Sequence, residues 1–385
     1  MRRYRGLLAS LAVVATVGCG SDSGSGDGSD EGADDQGSDC IVTAEAQFEA
    51  ADESACMPLA TDFVPGSDAD PYATCVSDDG EYHLIEGTPS SVARVEAYDE
   101  VVALLRGHPS ADDFTAARTV YAVDEGLESR VLRREDLHYP AIPEADFDPD
   151  FEDDKQCSSP LNVAKHSDRC AGPANIAPII DAAFVAGMTD QGEPEVHAAR
   201  IEAAGLWFLF LSVYKEANTC ADKAKDCDSS WAYYTGAANR AGGIGLSAAT
   251  KALTELGHNR VFDGVTAVRC WRDLYPAEDY PSREDLDAAG EQLLSDALEQ
   301  LDQSLWYAYA RIVRDRLERQ DAVCGVEAEA NWAFLQVAGP VLDFEASARG
   351  SADATELAAL WAGEQPTAEA LEGGVEALDA VFGCG

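Results

Sequence analysis

Positive charge is what this chain has least of. Its 385 residues carry 27 Lys and Arg against 71 Asp and Glu, a formal charge of −44. A surface of that sign repels nucleic acid and anionic lipid headgroups rather than steering them in, so it excludes both as partners and tolerates cations. The sequence also lacks any C-x-x-C pair, which removes a zinc ribbon and a thioredoxin-like motif. The six histidines (His83, His108, His138, His166, His197 and His258) never stand four apart, the helical spacing that aims two imidazoles at one metal. H-E-x-x-H, G-x-S-x-G and a phosphate-binding G-x-x-x-x-G-K are absent too, so nothing nominates a nucleophile or a catalytic base. The expectation is a protein that is not an enzyme. Beyond the N-terminus no apolar run reaches bilayer-spanning length. Ala203 to Tyr214 is broken by Gly205 and Ser212 and reads as a buried core helix.

What is present first gives an address. Arg2, Arg3 and Arg5 precede twelve mostly apolar residues, Gly6 to Val17, too few to span a bilayer but right for a signal peptide. The run ends in Thr16-Val17-Gly18-Cys19, which resembles the lipobox of bacterial lipoproteins, with Thr16 in place of the usual Leu. Residues 1–18 are therefore expected to be a signal peptide and Cys19 the lipidated residue, several acyl chains being enough for stable anchoring. Gly20 to Asp39 holds six Gly, five Ser and six Asp. With Cys19 it makes a flexible tether, residues 19–39, whose random-coil reach is roughly 25 Å. The expected location is a bacterial cell envelope, at the outer membrane, and the lipid anchor is the only membrane contact foreseen.

Ten further cysteines remain: Cys40, Cys56, Cys75, Cys157, Cys170, Cys220, Cys227, Cys270, Cys324 and Cys384. An even number in an exported chain predicts five disulfides. Spacing does not fix their connectivity; Cys157–Cys170, Cys220–Cys227 and Cys324–Cys384 are suggested by proximity and by the need to tie down the C-terminus.

The fold class read from periodicity is mainly α, a disulfide-stabilised multi-helix protein. Residues 40–150 form a loop-rich and helical N-terminal part, and residues 151–385 a helical domain. Thr74–Ser77 and Glu81–Ile85 around Asp79-Gly80 predict one small β-hairpin. Helices are predicted from Ser91 to Arg106, from a Ser110/Asp113 capping box to Tyr121, and from Glu195 to Ala217. Another runs from Ser282 to Arg319, acidic at its start and basic at its end as the helix dipole favours. Asp146 to Asp150 mimics the start of a calcium loop, but Phe151 occupies its glycine position and Cys157 its bidentate glutamate position. Gly243 to Ala248 fits G-x-G-x-x-A but follows no strand.

An internal echo stands out. A long helix, a cysteine, an acid and Trp-Ala-aromatic recur as Cys220, Asp228, Trp231-Ala232-Tyr233 and as Cys324, Glu329, Trp332-Ala333-Phe334. It predicts a duplicated helical unit. Asp228 and Glu329, with Glu216 and nearby tyrosines, then form a candidate hard-metal site, since carboxylate and phenolate oxygens suit such ions. The competing reading makes each acid a helix cap.

Ala116–Tyr121, Ile180–Phe184, Trp231–Gly236, Leu305–Ala310 and Asn331–Phe334 with Pro340 together resemble the green-algal iron-assimilating, low-iron-inducible periplasmic proteins, in matching order over roughly residues 90–345. Ala241 to Gly245 departs from them, lacking the basic, Phe-containing segment. The Gly-x-His-x-x-Glu signature of imelysin-type lipoproteins, another iron-linked group, is missing. The resemblance implies a helical, secreted protein that binds iron for capture or uptake. The alternative is a non-catalytic structural or protein-interaction lipoprotein with no small ligand.

Overall fold

A computed structural model describes residues 62–135 and 176–383, except 65, 68–69, 73–74, 124–125, 351 and 364–365. The lipobox, the tether, Cys40, Cys56, Cys157, Cys170, Cys384 and the Asp146–Asp150 stretch lie outside the described residues. Thirteen α-helices and no strand are found among those described. They are α1 (Ser91–Leu104), α2 (Ala111–Val123), α3 (Leu127–Glu135), α4 (Ile176–Met188), α5 (Pro194–Thr219), α6 (Ala224–Thr235) and α7 (Leu246–Leu253). The remainder are α8 (Glu255–Leu274), α9 (Ala288–Gln320), α10 (Gly325–Ala338), α11 (Pro340–Ala348), α12 (Ala354–Trp361) and α13 (Ala368–Phe382).

Helix α5 is apolar around most of its circumference because it is enclosed: α4, α6 and α10 all pack on it. Pro194 starts it at the position where a missing N–H costs nothing. Phe210 meets Trp306 and Tyr309 of α9 at ring-centroid distances of 4.7 and 5.0 Å. The most extensive helix pairing is α8 with α9. Gly264 permits it, since a Cβ there would lie 2.8 Å from the Leu301 Cα. Local capping follows the sequence. Ser110 and Asp113 cap each other's amides at the start of α2, at 2.8 and 3.3 Å. The Ser282/Asp285 box also forms, but it closes only a 3₁₀ turn, Arg283–Asp285. The long helix begins afresh at Asp287, whose carboxylate accepts from Gly290 N–H at 2.7 Å.

The predicted hairpin is not there. Residues 75–80 make successive turns and residues 81–90 run irregularly as a strap over α6 and α8. The groups that a strand ladder would use are taken by helix side chains. Arg269 Nε donates to the His83 carbonyl at 2.7 Å, and Asp228 accepts from the Ile85 and Glu86 amides. Upstream, Gln300 exchanges two bonds with the Phe63 backbone, and Arg260 meets Asp62 at 3.0 Å. The described residues fall in a single compact unit, shared by α1–α3 and the later helices. The expected boundary near residue 150 falls outside the described residues.

Two disulfides are described. Cys220–Cys227 closes the turn between α5 and α6, with Cα atoms 4.8 Å apart, as proximity suggests. Cys75–Cys270 ties the start of the turns before the strap to α8 across 195 residues, a pairing that spacing does not reveal. Cys324 is disulfide-bonded as well.

The two Trp units differ in their surroundings. Trp231 stacks on Tyr82 of the strap, centroids 4.8 Å apart, whereas Trp332 donates to the Gly363 carbonyl at 3.2 Å. Moreover, α6 packs on α5, the long helix before it, while α10 packs chiefly on α5 rather than on α9.

Candidate functional site

Asp228 and Glu329 each occupy the fifth position of their helix, α6 and α10. Their environments are opposite. Asp228 is 0 % exposed, and Glu329 is exposed. The Asp228 carboxylate accepts from Ile85 N–H at 3.0 Å, Glu86 N–H at 3.0 Å and the Tyr82 hydroxyl at 3.2 Å. It therefore caps neither its own helix nor a cation; it latches the strap, and three donors satisfy its charge in place of water. Burial, together with the Asp228 charge, holds the Tyr82 phenol well above its ordinary range and so keeps it a donor.

Glu216, on the last turns of α5, is buried beside Lys215 Nζ at 3.6 Å. The structure does not bring Asp228, Glu216 and Glu329 together as a ligand set. Among the described residues the one grouping of three potential ligands is Cys75, Asp78 and Cys270, and two of its sulfurs are bonded to each other. The described histidines have ordinary partners: His258 lies between the Tyr234 hydroxyl at 3.0 Å and the Arg240 carbonyl at 2.8 Å, and His83 pairs with Asp79 at 2.9 Å. Gly243 to Gly245 lead into α7, with Gly245 at φ +60°, and Leu246 to Ala248 are its first residues.

Glu216 does line a cleft of about 700 Å³. Its walls are the strap residues Glu86 to Ser90, Arg94 of α1, Arg130 of α3, the end of α5 and the start of α6. Five cations (Arg94, Arg130, Lys215, Lys223 and Lys225) face it against three acids, Glu86, Glu216 and Asp226. The chain has only six lysines, and three of them are here. Sequence reading followed the acids and missed these. The usable signal was the local reversal of charge between Lys215 and Lys225 in a chain of −44.

Each element is fixed from below. The Asp228 latch holds the strap, and Cys220–Cys227 holds the turn that carries Lys223. Asp226 is occupied by the Thr219 hydroxyl at 2.7 Å. A second cleft, about 350 Å³, lies between α1, α5, α9 and α10, but Arg316 on its wall is already paired with Glu202 at 2.9 Å. No protein-family model matches the chain, and searches of curated proteins and of solved structures return no match either.

Proposed function

We propose that this chain is a lipid-tethered, non-catalytic binding protein of the bacterial cell envelope, with the cleft between the strap, α1 and α6 as its ligand site. The signal peptide of residues 1–18, lipidated Cys19 and the tether to residue 39 supply the address. The observation that carries the binding assignment is the cleft itself: about 700 Å³, walled by helices and by a strap that a buried carboxylate pins down. A concave site on rigid elements with converging polar groups is the form ligand sites take. Iron enters this reading as one ligand class among several. Asp228 has its oxygens committed to the strap, so an iron site would have to be built elsewhere than on the matched acids.

The test has two parts. Cys19→Ser should move the protein from membranes into the soluble envelope fraction; a variant that stays acylated and membrane-bound contradicts the anchor. The full chain is then melted with ferric iron, calcium, neutral sugars and small anions. At least one class should raise the melting temperature, and Ser229→Trp, which fills the cleft without changing its charge, should remove that gain. No response from any class would leave the alternative, a structural or protein-interaction lipoprotein with no small ligand.

A further inference from the structure

The charge in the cleft is arranged for something the protein itself does not supply. Four arginines are buried among the described residues: Arg94, Arg260, Arg269 and Arg272. Arg260 has Asp62 at 3.0 Å, Arg269 has Asp273, and Arg272 donates to the Tyr275 and Tyr280 carbonyls at 3.0 and 3.1 Å. Among the described residues, Arg94 and Arg272 are the buried arginines with no acid bonded to them, both leave Nε without a partner, and of the two Arg94 is the one on the cleft. It is 8 % exposed and holds only two neutral hydroxyls, Tyr233 at 3.2 Å and Ser90 at 3.1 Å, while its Nε has no hydrogen-bond partner. No acid pairs with it among the described residues, in a chain with 71 of them. Burying a cation without a counter-charge is costly, and a bound anion removes that cost.

Two further features lie on the same cleft. Arg94 sits in the first turn of α1, whose Ser90 cap makes no side-chain bond to the helix amides and whose first turn holds no acid, so the positive end of the dipole is not offset. On the same lining, Lys223 and Lys225 are exposed at the start of α6 and form no ion pair among the described residues. Of the three acids on the cleft, Asp226 is bonded to Thr219 and Glu216 lies beside Lys215, while Glu86 is exposed on the strap.

We propose that the cleft binds a small molecule with at least two anionic oxygen groups, carboxylate or phosphate, one held by Arg94 at the start of α1 and another by Lys223 and Lys225. The inference rests on the cleft being a ligand site, and names the chemistry it takes. Single ions such as chloride would satisfy Arg94 alone. The volume, and the separation of the cations onto different helices, call for a ligand that spans them. Arginine's planar fork suits either oxyanion, and the lysines act as point charges.

The test is calorimetric titration of the full, detergent-solubilised chain with citrate, with glucose 6-phosphate and, as control, with chloride. Citrate or the phosphate ester should bind saturably and chloride should not, and which of the two binds assigns the oxyanion. Lys223→Gln with Lys225→Gln, both exposed and so without consequence for folding, should weaken binding about tenfold. Arg94→Gln should weaken it further, and Ser229→Trp should abolish it. Equal affinity in the lysine double variant and the parent, or oxyanions binding no better than chloride, overturns the proposal. A cation or neutral sugar that binds in a Ser229→Trp-sensitive manner, with no oxyanion binding, overturns it while leaving the cleft a ligand site. Silence from every class overturns both readings.

Discussion

Asp228 and Glu329 show how far one residue's neighbours outweigh its register. Both acids sit three before a Trp-Ala-aromatic triplet, and both fall at the fifth position of a helix. Only one is enclosed. Replacing Asp228 by Ala would strand the Ile85 and Glu86 amides and release the strap, at a cost of roughly 3 kcal/mol, well beyond the usual loss of a single cap. Glu329→Ala should fall within about 0.5 kcal/mol of the parent, as exposed substitutions do. Urea denaturation of both variants, with and without ferric iron, checks this. A loss at Asp228 that iron does not alter fits the latch, and comparable effects at both sites contradict it. The sequence signalled Asp228 through the echo but not its role. A carboxylate's donors came from a strap some 140 residues earlier, and no local pattern encodes such a contact.

At the scale of elements, helices were legible wherever apolar spacing and caps agreed. Ser91 and the Ser110 box fall where periodicity puts them, and the central helix starts at Pro194, one residue before the expected Glu195. The hairpin failed for a physical reason: Asp79-Gly80 does turn the chain, Gly80 at φ +81°, but Arg269 and Asp228 outcompete a partner strand for the backbone groups that follow. Ser282 failed more narrowly, its box capping a 3₁₀ turn because Asp287 offers the long helix a second start.

Where α9 meets α11, burial and the neighbouring Glu345 push the Asp302 carboxyl up to about 7, against the opposing pull of Arg349. Asp343 on α11 rises to about 6 by burial. A carboxyl raised in the folded state favours folding least when ionised, so this contribution worsens as pH climbs from about 4 through 7 and is then constant. Asp302→Asn should therefore gain stability relative to the parent at pH 8, on the order of 2–4 kcal/mol, and little at pH 4.5. Urea midpoints of the two proteins at both pH values measure it. A difference independent of pH would contradict the assignment.

Over the whole molecule, acidity sets the background against which the cleft is read. The repulsion of a chain at −44 for small anions is largely screened beyond about 10 Å at 0.1 M salt and opposes them only on close approach. Capture of an oxyanion therefore depends on contacts at short range, which is where Arg94, Lys223 and Lys225 act. Composition made the acidic surface legible from the start, and it also hid the site, because attention went to the abundant charge rather than to the rare one. The Cys75–Cys270 bridge was hidden likewise, joining positions 195 apart that only the packed fold brings near.

The central claim is that Arg94 waits for a ligand's negative charge, and its Nε–H can report this directly. In a nuclear magnetic resonance titration with citrate or glucose 6-phosphate, the Arg94 Nε–H signal should shift saturably. Those of Arg260 and Arg269, already bonded within the protein, should stay in place. An Arg94 signal that does not move while ligand binds elsewhere, or that moves no more than the paired arginines, would contradict the account.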